Sequence, residues 1–284
     1  MKNCAITGAN GYLGSAIADA FRSAGWVTTA MVRRPKILDG VTQGFVLGEA
    51  VDPNIFSGVD VLIHCAWSVA PGGGEDYFKV NVEGTQKLFD AAKKAGVARI
   101  IFISSMSAHS GCRSNYGRAK LECEEAALKN GGVVIRPGLV WGGSGSGLHG
   151  AIESATRRLP VVPTLAGDLH GLYMCHVEDL AKFIGDLAGR DDLPTGLHVA
   201  ADKTPWTMYD LAAQIAEAAG KTRIFLPVPW QVVWFGLRSL EVIGMRLSFR
   251  SDSVLGLVRG GALPDPETYC DGFRPYDASK SLAA

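Results

Sequence analysis

An excess of charge of either sign is missing from this chain: 28 Lys and Arg stand against 28 Asp and Glu, a formal net charge of zero. Folds that grip nucleic acid or an anionic surface through bulk charge carry a basic excess, so neither nucleic acid nor membrane contact is expected. A small anionic substrate needs only a local cluster of cations and stays open. Paired cysteines are missing too. Cys4, Cys65, Cys112, Cys123, Cys175 and Cys270 contain no CxxC and no metal-ligand spacing, which argues against a zinc ribbon or a redox dithiol. A chain of 284 residues can bury its own core, so no disulfide framework is expected either. The six histidines form neither HxH nor HExxH, and no metal is predicted. No run approaches the roughly 18 apolar residues of a spanning helix. The first apolar run meets Gly8 too soon for a signal peptide. These absences predict a reduced, soluble, cytoplasmic protein without internal repeats.

What is present is an alternation. Short apolar runs at 3–7, 26–33, 61–66 (VLIHCA), 99–104 (RIIFIS) and 132–137 (GVVIRP) read as buried strands. Between them, 12–23, 77–95 and 115–129 carry helical spacing, and a further helix is predicted at 207–219. Strands alternating with amphipathic helices give βαβ units, a parallel sheet and a doubly wound, Rossmann-type α/β fold. After Pro137 the texture becomes glycine- and proline-rich. Residues 1–140, with 172–200 returning to them, are therefore expected to form a dinucleotide-binding domain. Residues 141–171 and 201–284 are expected to form a smaller substrate lobe.

The first strand runs into Thr7-Gly8-Ala9-Asn10-Gly11-Tyr12-Leu13-Gly14. Gly8 suits a tight turn, Gly11 lets backbone approach a pyrophosphate, and Gly14 lets helix and strand pack closely. The helix N-terminus then favours the phosphates. Readers of NAD place an acid about 20 residues further on, against the ribose 2′-hydroxyl. Here no acid occurs between Asp19 and Asp39, and the second strand ends in Arg33-Arg34. A guanidinium there pairs with a 2′-phosphate, so NADP is favoured and NAD is the alternative.

Tyr116 and Lys120 stand four apart on a predicted helix, hence on one face. A free phenol titrates near 10, and a neighbouring ammonium favours the phenolate, bringing the group toward neutral-pH proton exchange. The strand before that helix ends in Ser104-Ser105-Met106-Ser107, at the strand terminus that faces the ligand crevice in such sheets. Ser105 is the candidate for polarising a substrate oxygen, with Ser107 its rival on the substrate side.

With TGANGYLG at 7–14, DVLIHCA at 60–66, NVEGT at 81–85, FISSMSA at 102–108, YGRAK at 116–120, RPGLVWG at 136–142 and GDLHGLYMCHVEDLA at 167–181, the chain resembles the extended short-chain dehydrogenase/reductase superfamily, NAD-dependent epimerase/dehydratase group. The resemblance covers roughly the first 200 residues. It implies that Tyr116 is the general acid/base, Lys120 its tuner and a ribose ligand, and Ser105 a partner on the substrate oxygen. It also implies that Asn10, Gly11, Tyr12 and Leu13 bracket the pyrophosphate, that Ala66 lines the cofactor path and that Pro137 sits beside the nicotinamide. Glu49 stands where the group usually has Asp near the adenine. Asn81, Asp179 and His176 are expected to be structural. A homodimer pairing helices 77–95 and 115–129 is a further implication.

Three reactions share this scaffold. Family dehydratases carry Asp-Glu directly after the catalytic hydroxyl residue, where this chain has Met106 and Ser107, so dehydration is disfavoured. The Arg33 pattern suits a dissociating NADPH and hence a reductase; an epimerase holding NAD tightly is the alternative. A silent NADP(H)-binding sensor is the reading from another class, and relatives of that kind usually lack the Tyr/Lys pair. Reduction of a non-sugar carbonyl also stays open. The 221–284 tail resembles that of members acting on nucleotide-activated or lipid-linked sugars. Arg157, Arg158, Arg250 and Arg259 are candidate anchors for a sugar diphosphate, and Trp67 and Trp141 are candidates for stacking or for core packing. The apolar stretch Val228–Leu247, with Trp230, Trp234, Arg238 and Arg246, is read as a buried helix of the substrate lobe, with a membrane-interface helix as the alternative.

Overall fold

In the computed structural model, residues 2–35, 41–69, 77–143, 147–166, 171–192, 195–245, 249–258, 265 and 268–281 are described; Arg246 and Arg259 lie outside them. The chain begins β1 (Asn3–Thr7), α1 (Tyr12–Ser23), β2 (Val27–Val32), β3 (Val41–Gly44), β4 (Val61–His64), α2 (Gly84–Lys94), β5 (Arg99–Ile103), α3 (Asn115–Lys129) and β6 (Val133–Pro137). It continues β7 (Leu139–Trp141), α4 (Gly147–Arg158), β8 (Val161–Ala166), β9 (Leu172–His176), α5 (Val177–Gly189), β10 (Gly196–Ala200), β11 (Pro205–Trp206) and α6 (Met208–Ala218). It ends β12 (Ile224–Pro229), α7 (Trp230–Val242), α8 (Ser251–Leu257) and α9 (Ala278–Ser281).

Seven strands form one sheet in the order β10-β6-β5-β4-β1-β2-β3. The registered pairs within it are parallel, with Thr7 opposite both Met31 and His64. The strand order reverses direction at β1, which has β2 on one side and β4 on the other. A doubly wound sheet opens its ligand crevice at that switch point. The central strands are buried along nearly their whole length, as expected of a parallel sheet covered on both faces. One face packs Leu62, Ile100, Phe102 and Val134 beneath Leu88, Phe89 and Ala92 of α2 and Ala119, Cys123 and Ala127 of α3. The spacing of these helical residues is the apolar stripe that made both helices legible. The stretch 77–95 is not uniform, because Lys79–Glu83 forms a π-helical turn before α2.

Two compact units result. The first comprises 1–105, 119–136 and 178–198; the second comprises 106–118, 137–177 and 199–284. Within the second, β11-β9-β7 form a small sheet and β12 pairs with β8. Its core gathers Trp141, Met174, Leu211, Ile215 and Tyr276. The helix α6 is held by a capping box in which Thr207 and Asp210 satisfy each other's backbone N–H.

The stretch at 228–247 departs from expectation. Residues Trp230–Val242 are helical, but none of them is buried. Apolar content identified an ordered helix there, yet its neighbours, chiefly α8 and β12, cover only one narrow side.

Candidate active site

At the switch point the turn after β1 has the geometry its glycines predict. Gly8 adopts φ +67° and donates its N–H to the Met31 carbonyl at 2.9 Å, tying the turn to the end of β2. A Cβ on Gly14 would meet the Gly8 carbonyl oxygen at 2.1 Å, so α1 lies against the turn at a distance only glycine allows. A Cβ on Gly11 would meet only that same oxygen, at 3.2 Å. Gly11 is the N-cap of α1 and makes no side-chain capping bond. Asn10 and Gly11 are exposed and Tyr12 and Leu13 half-buried. A helix N-terminus whose cap carries no side chain fits the pyrophosphate of a dinucleotide. Arg33 and Arg34 directly follow β2 and are exposed. Glu49 is exposed in the turn beyond β3.

Beneath the turn a buried hydrogen-bond chain fixes the β4 end. The Thr7 hydroxyl accepts from the N–H groups of Cys65 and Ala66, both at 3.1 Å, and meets His64 Nδ1 at 2.7 Å. His64 Nε2 meets the Thr85 hydroxyl at 2.9 Å, and that hydroxyl donates to the Asn81 carbonyl at 2.6 Å. One arrangement of hydrogens satisfies every link: Thr7 donates to Nδ1 and the imidazole donates from Nε2. Burial, aided by the Lys120 charge, pushes the His64 pKa down to about 3, so the ring is a neutral strut. The Asn81 side chain accepts from Ser68 N–H and donates to the Ser68 and Tyr77 carbonyls. It thereby holds the backbone that follows Ala66, whose Cα and N stand 3.0 Å from where a Gly8 Cβ would be.

Lys120 is buried, and its ammonium donates to the Ile103 carbonyl at 2.7 Å. The ammonium lies 3.9 Å from the Trp67 ring centre and 4.7 Å from that of Phe102, a cation–π setting. Trp67 is itself anchored by its N–H on the Tyr77 hydroxyl at 2.9 Å. Desolvation pushes the Lys120 pKa down to about 8, against the opposing fields of Cys123, Cys65 and Glu124. Burial also raises the Cys65 thiol to about 12, so no thiolate competes there. One turn along, Glu124 accepts from Arg136 at 2.8 and 2.6 Å and from the Ser104 hydroxyl at 2.5 Å. A buried carboxylate with a bidentate guanidinium thus locks α3 to the ends of β5 and β6.

The other end of α3 carries Tyr116. Ordinarily the first-turn N–H groups of a helix lack partners; here each has one. Asn115 and Tyr116 donate to the two carboxylate oxygens of Asp252 at 2.7 and 3.1 Å. Gly117 donates to the Ser114 hydroxyl at 3.0 Å, and Arg118 to the Ser114 carbonyl at 3.1 Å. Gly117 is also required sterically, since a Cβ would meet the Ser107 carbonyl at 2.3 Å. Sequence reasoning missed Asp252, because no local signal links residues 136 positions apart. Ser114 and Gly117 were within reach as an N-cap serine and an unexplained helical glycine.

Ser105 and Ser107 are half-buried in the segment that follows β5. Pro137 ends β6, and its carbonyl accepts from Met106 N–H at 3.4 Å. Trp141 is not a stacking platform: it is buried edge-on against His176 and Tyr276. Arg157 pairs with Glu153, and Arg250 with Glu241; Arg158 is exposed. Among the described residues no His, Cys, Asp and Glu cluster could hold a metal ion.

The fold is a doubly wound, Rossmann-type α/β sheet. Residues 4–184 match the model of the NAD dependent epimerase/dehydratase family, and the chain belongs to that family of NAD(P)-dependent enzymes. Among curated proteins it is similar to a ceramide reductase of Caulobacter vibrioides, 32% identical over 187 residues, covering 62% of this chain and 58% of that one. The chain spans about half the length of curated relatives it matches. Among solved structures it is similar to MoeE5 in complex with UDP-glucuronic acid and NAD, with TM-score 0.71, 20% identity and coverage of 99% and 96%. It is also similar to a UDP-glucose 4-epimerase of Thermotoga maritima, with TM-score 0.66, 20% identity and coverage of 80% and 86%.

Proposed function

We propose that this protein is an NADPH-dependent reductase acting on a keto group of a nucleotide-activated or lipid-linked sugar. The observation that carries the reading is the end of β2. There Arg33 and Arg34, and no carboxylate, follow a strand tied through Met31 to the phosphate turn. The Gly8–Gly14 turn and the α1 N-terminus would hold the pyrophosphate, with Asn10, Tyr12 and Leu13 beside it. Arg33 and Arg34 would take the 2′-phosphate, Glu49 would lie toward the adenine, and Ala66 and Pro137 would flank the path to the nicotinamide. When bound, the nicotinamide supplies the hydride.

The chain's own residues supply the proton and the positioning. Tyr116 holds a proton at Oη for the oxygen of the substrate carbonyl. Lys120, one turn along the same helix, lowers the cost of the phenolate left behind and offers its ammonium to the ribose. Ser105 donates to the same carbonyl oxygen and orients it, while Ser107 contacts the substrate. Assigning 1–140 and 172–200 to cofactor and 141–171 and 201–284 to substrate belongs to the same proposal. So do a cytoplasmic location and a homodimer through α2 and α3. The likeness to a nucleotide-sugar complex holding NAD supports epimerisation with retained NAD as a second reading.

The test is NADPH oxidation followed at 340 nm with keto-sugar nucleotides, against Tyr116→Phe. The reading expects turnover that the variant abolishes while still binding NADPH. Undiminished turnover by Tyr116→Phe would overturn the assigned acid.

A further inference from the structure

The helix α7 is built inside out. Its covered side carries Trp230, Trp234, Leu237 and the carboxylate Glu241, all half-buried. Glu241 accepts from Ser251 N–H at 2.9 Å and from the Ser251 hydroxyl at 2.7 Å, and Arg250 approaches it at 3.5 Å. The opposite side is apolar and faces outward: Val232 is 60% exposed, Phe235 69%, Val242 73% and Ile243 73%. Steps of three, seven and one place these four, with Ser239 between them, on a single helical stripe. A helix facing water has the reverse polarity. The strand that leads into it, β12, adds exposed Ile224 and Leu226.

We propose that this face of α7 lies in the interface of a lipid membrane bearing anionic headgroups. Charge selects this occupant. Between Ile224 and Met245 the sequence holds one acid, Glu241, and it is turned inward; the one cation, Arg238, is exposed and approaches Glu241 at 3.6 Å from the rim of the stripe. Arg157, Arg158 and Lys221 stand at the other end of β12, where it begins beside the last turn of α4. Exposed apolar side chains with cations at both ends of the stretch, and its one carboxylate turned inward, match an acyl boundary beneath acidic headgroups. At 1.5 Å per residue the helix is about 20 Å long, too short to span the hydrocarbon core, so it rests in the interface plane.

The test does not depend on the reading of the active site. The whole chain is floated with vesicles of phosphatidylcholine and phosphatidylglycerol, beside Phe235→Glu and, separately, Val242→Glu. Both positions are exposed, so both variants should melt with wild type. The proposal expects wild type to float and each variant to lose vesicle-bound protein by about tenfold, the scale of one buried apolar side chain. Wild type that stays at the bottom of the gradient overturns it, as do variants that float equally well. A wild-type dimer that both variants split, with no flotation, assigns the face to a second copy instead.

Discussion

A methyl group added at Gly14 and one added at Gly11 should separate helix packing from the proposed phosphate binding at the glycine turn after β1. In Gly14→Ala the new Cβ would lie 2.1 Å from the Gly8 carbonyl oxygen, 2.7 Å from the Gly8 carbonyl carbon and 3.0 Å from Ala9 Cα. All three are backbone atoms, so no side chain can swing aside. Helix and turn must part by about 1 Å to restore ordinary contact. Overpacking of this kind costs about 3 kcal/mol, or roughly 6 °C or more in Tm for a chain of this size. In Gly11→Ala the contact is a single 3.2 Å approach and φ is −87°, which alanine adopts without strain. The cost should stay within about 1 kcal/mol. If the amides at the α1 N-terminus cradle the pyrophosphate, the added methyl group intrudes on that approach, and NADPH affinity should fall by about tenfold or more. Scanning calorimetry and isothermal titration of both variants read the two effects separately. Gly14→Ala with a wild-type Tm refutes the packing argument. Gly11→Ala with undiminished affinity refutes the placement of the phosphates.

Other perturbations test the rest of the site. Arg33→Ala should weaken NADPH by about tenfold or more, the scale of a lost charge-assisted pair, while NADH binding holds in parallel titrations; equal losses would place the 2′-phosphate elsewhere. Asp252→Ala removes both acceptors from the first turn of α3 and should cost about 1–2 kcal/mol in urea unfolding. It should also lower kcat with little change in KM for NADPH, and Asp252→Asn should recover much of both; a wild-type kcat in the alanine variant would contradict positioning of Tyr116 from this cap. Lys120 carries a pH signature. Its pKa is depressed in the fold, from 10.5 to about 8, so between those values the unfolded chain binds more protons and this group's contribution to stability rises with pH. The depression corresponds to about 3 kcal/mol. The destabilisation traceable to the Lys120 charge, read as the difference from Lys120→Met, should shrink by that order between pH 7 and about pH 10. A difference independent of pH would mean the ammonium is well solvated.

Most of the sheet was legible because its strands are buried on both faces and read as unbroken apolar runs, of which Ile100–Ile103 is the clearest. Helices α1, α2 and α3 were legible because each presents one apolar stripe to that sheet. The geometry of the glycine turn after β1 was legible because its glycines answer local demands, a positive φ at Gly8 and a close approach at Gly14. What stayed hidden rests on long-range pairing. The bond from Tyr116 to Asp252, the junction of Glu124 with Arg136 and Ser104, and the pairing of β8 with β12 leave no periodic trace. The exposure of α7 was hidden for another reason. Composition reports how apolar a helix is, whereas burial depends on what the rest of the chain has left to cover it.

Calorimetric titration of the purified chain with NADPH and, separately, with NADH separates a reductase from an epimerase, after release and analysis of any nucleotide carried through purification. A reductase of this kind should emerge free of carried nucleotide and bind NADPH more tightly than NADH. Retained NAD, or tighter binding of NADH, would contradict the reductase reading and favour the epimerase.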